Sequence, residues 1–151
     1  MSTPPKRAAR PRRAAAPRAG RAASPDRGEH AIELAGVTYL LRPSHGVMQT
    51  IEIETGHSLL ALLRMAHGGD LTLEMIGIML AELIRAGADA GDQATQHVSP
   101  ERIGELAYEQ GLPRIIARLA VLLADVVSGG RDAAGNAKAA PTMMSEGAGA
   151  A

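Results

Sequence analysis

The sequence contains no Phe, no Trp and no Cys, and its only aromatic rings are those of Tyr39 and Tyr108. Each absence excludes something. Without cysteine there are no disulfides, no thiolate chemistry and no zinc-thiolate site, which fits a cytoplasmic setting. Without aromatic anchors a core has to be built from Leu, Ile, Val, Met and Ala. Such a core buries less area per residue, so modest stability or support from self-association is expected. No apolar run reaches the ~18 residues that a membrane-spanning helix needs. The basic N-terminus is not followed by an apolar segment, so it does not read as a secretory signal.

What is present is an ordinary apolar fraction, 46% of 151 residues, which sets an expectation of one domain. The formal net charge of zero conceals an asymmetry. Residues 1–29 hold eight Lys or Arg against Asp26 and Glu29, a net of +6, and the remainder holds eight basic and fourteen acidic residues, a net of −6. Residues 1–27 are an Arg/Ala/Pro-rich arm with no large apolar side chain after Met1, too poor in burial to offset chain entropy, and are expected to be disordered. Residues 131–151 are expected to form a second disordered tail, rich in Gly and Ala.

The segment between, residues 28–130, carries the folding signals. Ile32 and Leu34 alternate with Glu33 as in a half-buried strand, Ala35-Gly36 supplies a turn, and Val37 to Leu41 reads as the returning strand. Ser44, Ser58, Thr72 and Ser99 each stand where a helix N-cap belongs, and Gly56, Gly68-Gly69, Gly87, Gly111 and Gly129-Gly130 stand where helices should stop. Ser99-Pro100-Glu101 is the best-specified start: a cap, a proline at the first helical position, and a carboxylate at the positive helix end. Ile76, Met79, Leu80, Leu83 and Ile84 form one apolar stripe, Ile103, Leu106 and Ala107 another, and Ile115 to Val126 a third. The fold class expected is α+β, mainly α: an N-terminal β-hairpin followed by about five short helices, with disordered tails. Residues 88–97 read as an exposed loop.

The sequence assigns no catalytic, cofactor-binding or metal-ligating residue. His30, His45, His57, His67 and His97 form no helical ligand pair, and no zinc-binding spacing exists. The glycine pairs lie outside any phosphate-cradling fingerprint. Glu52 and Glu54, two apart on a helix, point in different directions and do not make a carboxylate pair. The chain is therefore expected not to be an enzyme. The basic arm can be read as contacting nucleic-acid phosphates, as a solvated tail, or as residues ahead of a true start nearer Glu29. Without aromatic residues to stack on bases, it is not expected to read nucleic-acid sequence.

Taken in order, these pieces resemble the small tail proteins of gene transfer agents and long-tailed phages, described as tail assembly chaperones or tail tube proteins. The resemblance runs through Gly28-Glu29, Ile32-Glu33-Leu34-Ala35-Gly36, Tyr39-Leu40-Leu41-Arg42 and Ile53-Glu54-Thr55-Gly56. It continues through Leu71-Thr72-Leu73, Ile84-Arg85-Ala86-Gly87, Val98-Ser99-Pro100-Glu101 and Gly111-Leu112 to Gly129-Gly130. Residues 28–130 are thus identified as a gene-transfer-agent-like tail assembly chaperone domain, while the arm and the Gly/Ala-rich tail depart from the pattern.

The resemblance implies cytoplasmic action in a bacterial host during tail assembly. A chaperone of this kind binds the tape measure protein and assists polymerisation of the tail tube protein, with no cofactor; a homo-oligomer also fits. Met48, Met65, Met75 and Met79 would let a binding surface adapt, or else simply fill the core. The alternative is a structural tail tube component of the particle, for which one hairpin offers little strand, or a small nucleic-acid-binding protein using its basic arm. The surface that binds protein partners is left unassigned.

Overall fold

A computed structural model of the chain describes residues 21–139; the disorder expected of residues 1–20 and 140–151 lies outside the described residues. Two strands, β1 (His30–Leu34) and β2 (Val37–Leu41), pair antiparallel with His30 opposite Leu41 and Leu34 opposite Val37. Their turn places Ala35 at φ 50° and Gly36 at φ 75°. Two consecutive left-handed residues give a turn whose twist matches that of the strands. Ile32 and Leu34 are buried and Glu33 is exposed, as a period of two requires.

Among the described residues six helices follow: α1 (His45–Thr55), α2 (Leu59–Gly68), α3 (Leu73–Gly87), α4 (Gln93–Gln96), α5 (Pro100–Gln110) and α6 (Leu112–Val127). The four expected caps are all made. Ser44, Ser58, Thr72 and Ser99 accept from the N–H groups of Val47, Ala61, Met75 and Arg102 at 3.4, 3.2, 3.2 and 3.1 Å. Gly56 and Gly69 end their helices in the left-handed conformation, at φ 69° and 75°. The one helix beyond the five expected is the single turn α4, inside the span read as a loop; Asp92 starts it by accepting from the Thr95 N–H at 3.1 Å.

α3 is the centre of the molecule. Ile76, Met79, Leu80, Leu83 and Ile84 are fully buried on it, and it packs against α1, α5 and β2, while α2 packs on α6. The C-terminal end of α3 reaches the hairpin because Gly87 has no side chain: a Cβ there would stand 2.0 Å from the Leu40 carbonyl oxygen. The Arg42 N–H donates to the Leu83 carbonyl at 3.2 Å, so the hairpin is anchored by backbone as well as by packing. Met48 and Met79 lie within the core and Met65 and Met75 are packed against it. Met48 and Met79 therefore fill space in the core, while Met65 and Met75 stay half-buried at its edge.

Both ends of the folded unit extend past the expected limits. Residues 131–139, expected to belong to a disordered tail, form a closed turn instead. Arg131 bridges to Ala137, the Asp132 N–H donates to the Asn136 carbonyl at 2.9 Å, and the Asp132 carboxylate accepts from the Asn136 N–H at 2.9 Å. Residues 21–27, expected to belong to the disordered arm, wrap Glu29 through Arg21, Ser24 and Arg27. Among the described residues no helix is long and apolar enough to cross a membrane.

Candidate functional site

A groove of about 960 Å³ lies between α3 and α5, with Glu54 of α1 also in its lining. Its depth has a local cause. Gly77 of α3 and Gly104 of α5 face each other, and a Cβ on Gly77 would lie 2.6 Å from the Pro100 carbonyl oxygen and 3.4 Å from the Gly104 Cα. Two glycines thus bring the helices close and leave a trough beside the contact. Its apolar surface comes from Leu73, Ile78 and Tyr108; Tyr108 is 69% exposed and Leu73 40%. Large apolar side chains left uncovered in this way mark a surface suited to burial against something else.

Five glutamates line the groove, Glu54, Glu74, Glu101, Glu105 and Glu109, and no basic side chain does. Glu101, Glu105 and Glu109 repeat every fourth residue along α5, which stacks their carboxylates on one face. Arg102 donates to Glu105 at 2.8 Å from beside the groove. That hydrogen bond, with the fields of Glu105 and Glu109, raises the guanidinium pKa above its ordinary value. Glu54, Glu74, Glu101 and Glu109 make no ion pair among the described residues. Like charges four apart destabilise a helix by roughly 0.2–0.5 kcal/mol per pair. Glu101 recovers some of this at the positive helix start, but Glu105 and Glu109 do not.

A second hollow, about 470 Å³, lies between the hairpin and α6 and presents Arg114 and Arg118 beside Glu33, Gln110 and Val121. The two recesses therefore differ in charge sign.

Two clusters that the sequence does not reveal hold the two ends of the folded unit. The Glu29 side chain is fully enclosed and accepts from Arg21 at 2.8 and 3.0 Å and from the Ser24 N–H at 3.0 Å, with Arg27 at 3.4 Å. Burial pushes its pKa up, but these donors outweigh burial and hold the carboxyl below its usual range. At the other end, Arg131 donates to the carbonyls of Gly28 and Gly135 at 2.8 and 3.0 Å and to Asp125. His30 Nε2 lies 3.0 Å from the Asp125 carboxylate and 3.1 Å from Arg131. Desolvation again raises the Asp125 pKa, and Arg131 and His30 more than reverse it.

Of the residues weighed for chemistry in the sequence, the structure gives several a local task. His97 Nδ1 sits 2.8 Å from the Gln93 carbonyl, and the His45 N–H donates to the Ala133 carbonyl at 2.9 Å. Glu52 and Glu54 part company as expected: Glu52 accepts from the Leu59 N–H at 2.9 Å, at the start of α2, and Glu54 lines the groove. Among the described residues no three His, Asp or Glu side chains stand close enough to hold a metal ion. The groove was not assigned from sequence, although the every-fourth-residue glutamates of α5 and the neighbouring Tyr108 were its visible signal.

Comparison with protein-family models, with curated proteins and with solved structures finds no match in any of the three. The functional reading therefore rests on this chain's own residues.

Proposed function

We propose that this protein is a non-enzymatic tail assembly chaperone of the phage or gene-transfer-agent type. It acts in the cytoplasm of a bacterial host, holding the tape measure protein soluble while the tail tube protein polymerises around it. The observation that supports this best is the α3/α5 groove: an uncovered apolar floor rimmed by carboxylates. An amphipathic helix about 10–12 Å across lays its apolar face into such a trough, and basic residues on its flanks meet the rim. A long helical partner offers that pattern repeatedly, and each contact is weak enough to release because its charged pairs stay exposed to water. The alternative of a structural tube subunit finds little support in a sheet of two five-residue strands, since a closed ring needs extensive strand pairing.

The test is co-expression with the tape measure protein of the same tail system. The soluble fraction of that protein should rise several-fold with the native chain. It should fall back with a Leu73→Ser, Tyr108→Ser double variant, whose changes are confined to exposed positions. Equal solubility with and without the native chain would refute the proposal.

A further inference from the structure

The groove is acidic, and the segment of this chain with the opposite character is its own N-terminal arm. Residues 1–20 contain Lys6, Arg7, Arg10, Arg12, Arg13 and Arg18 and no acidic residue at all. We propose that residues 1–20 dock back into the α3/α5 groove of the same molecule. The basic side chains meet the glutamate rim while proline rings and arginine stems cover Tyr108 and Leu73.

Three observations carry this. The first is charge: the lining of the groove has five glutamates and no cation, and only Glu105 is paired with a described basic residue. The competing recess between the hairpin and α6 presents Arg114 and Arg118 against a single carboxylate, Glu33, and so offers the arm no net attraction. The second is reach. Arg21, where the arm meets the described residues, is tied to Glu29 and lies 3.6 Å from Asp89, just past the C-terminal end of α3. The groove begins at Ile78 and Leu73 on the same helix, roughly 14–21 Å away along its axis at ~1.5 Å per residue. Twenty residues span up to ~66 Å when extended, so the arm reaches the groove and can run its length.

The third is the kind of contact offered. The arm carries Pro4, Pro5, Pro11 and Pro17, which disfavour a helix and suit an extended ligand. Tyr108, largely exposed, offers a ring face for proline or guanidinium groups. Tethering sets the arm's effective concentration at the order of millimolar, so weak, water-exposed ion pairs suffice for substantial occupancy. The same weakness makes docking reversible and sensitive to salt. The proposal concerns the isolated chain and does not depend on what partner the groove serves.

Because the chain has no cysteine, an Ala9→Cys variant of the full protein takes a single nitroxide label. Amide resonances of Leu73, Glu105 and Tyr108 should broaden at low salt and recover at about 0.5 M salt, where screening is strong. Broadening should not change on tenfold dilution. In a second variant, Glu101→Lys with Glu105→Lys and Glu109→Lys, it should vanish while the helical circular dichroism is retained. Broadening lost on dilution would assign the groove to the arm of a second copy and overturn the proposal. So would broadening centred elsewhere, or none at any salt. The salt titration on the chain with native glutamates decides the matter even if the triple variant does not fold. A failed solubility assay with the tape measure protein would leave this result unaffected.

Discussion

Gly77 and Gly104 meet at the crossing of α3 and α5, but they are not equivalent: a Cβ on Gly77 would strike the Pro100 carbonyl at 2.6 Å, whereas one on Gly104 meets nothing nearer than the Gly77 Cα at 3.8 Å and the Leu73 carbonyl oxygen at 3.9 Å. The asymmetry gives a paired expectation. Gly77→Ala forces backbone apart and should destabilise by about 1–3 kcal/mol, the usual range for overpacking. Gly104→Ala meets ordinary contact distances and gains helix propensity, so it should be neutral or stabilising by up to about 1 kcal/mol. Urea denaturation of the two variants measures both signs, and equal losses would show that the crossing is not set by Gly77.

Ser99→Ala should lower stability by about 1 kcal/mol, because the hydroxyl that accepts from Arg102 N–H is the only side-chain cap at that helix start. Ser99→Asp should restore most of it, since aspartate caps equally well. Thermal melts of the three proteins check the order.

Such caps were legible in the sequence because they are local: the donor lies three residues from the acceptor, and Ser-Pro-Glu states its purpose without reference to the rest of the chain. The buried faces of α3, α5 and α6 were legible for the same reason, through spacing alone. The turn at residues 131–139 was not. Its composition reads as disorder, and what holds it comes from far along the chain: Arg42 donates to the Ala134 carbonyl and the Asn136 amide oxygen, and Gly135 packs a close 2.5 Å from Pro43's oxygen if given a Cβ. The groove lies between these cases. The glutamate spacing on α5 was visible, but that it faces Leu73 and Glu54 depends on a helix crossing no local rule contains.

Glu29→Gln should destabilise by about 1–2 kcal/mol, a figure held down because Arg21 is itself 35% exposed. The pH dependence has a definite sign. The folded pKa values of Glu29 and Asp125 lie below their ordinary values of about 4.3 and 3.9, so both groups stabilise the fold fully above that range. That stability is lost as pH falls from about 4 through the lowered folded values. The melting temperature of the native chain should drop over this interval, and that of Glu29→Gln should drop less. Identical slopes would exclude Glu29 from the acid response.

Arg131→Ala should release the C-terminal turn by removing donors to Gly28, Gly135 and Asp125, at a cost of about 1–3 kcal/mol. Hydrogen exchange should accelerate first at the His45, Ala137 and Lys138 amides, whose acceptors are Ala133, Asp26 and Gly130. Protection unchanged at these amides would mean that the turn holds without its arginine.

The same contacts have a mechanical meaning. Ala137 donates to the Asp26 carbonyl at 3.0 Å and Arg131 holds the Gly28 carbonyl, so the two places where the chain enters and leaves the folded unit are fastened to each other. A pull applied between the ends would load this clasp before any helix, opening it bond by bond while the α3-centred core carries no strain.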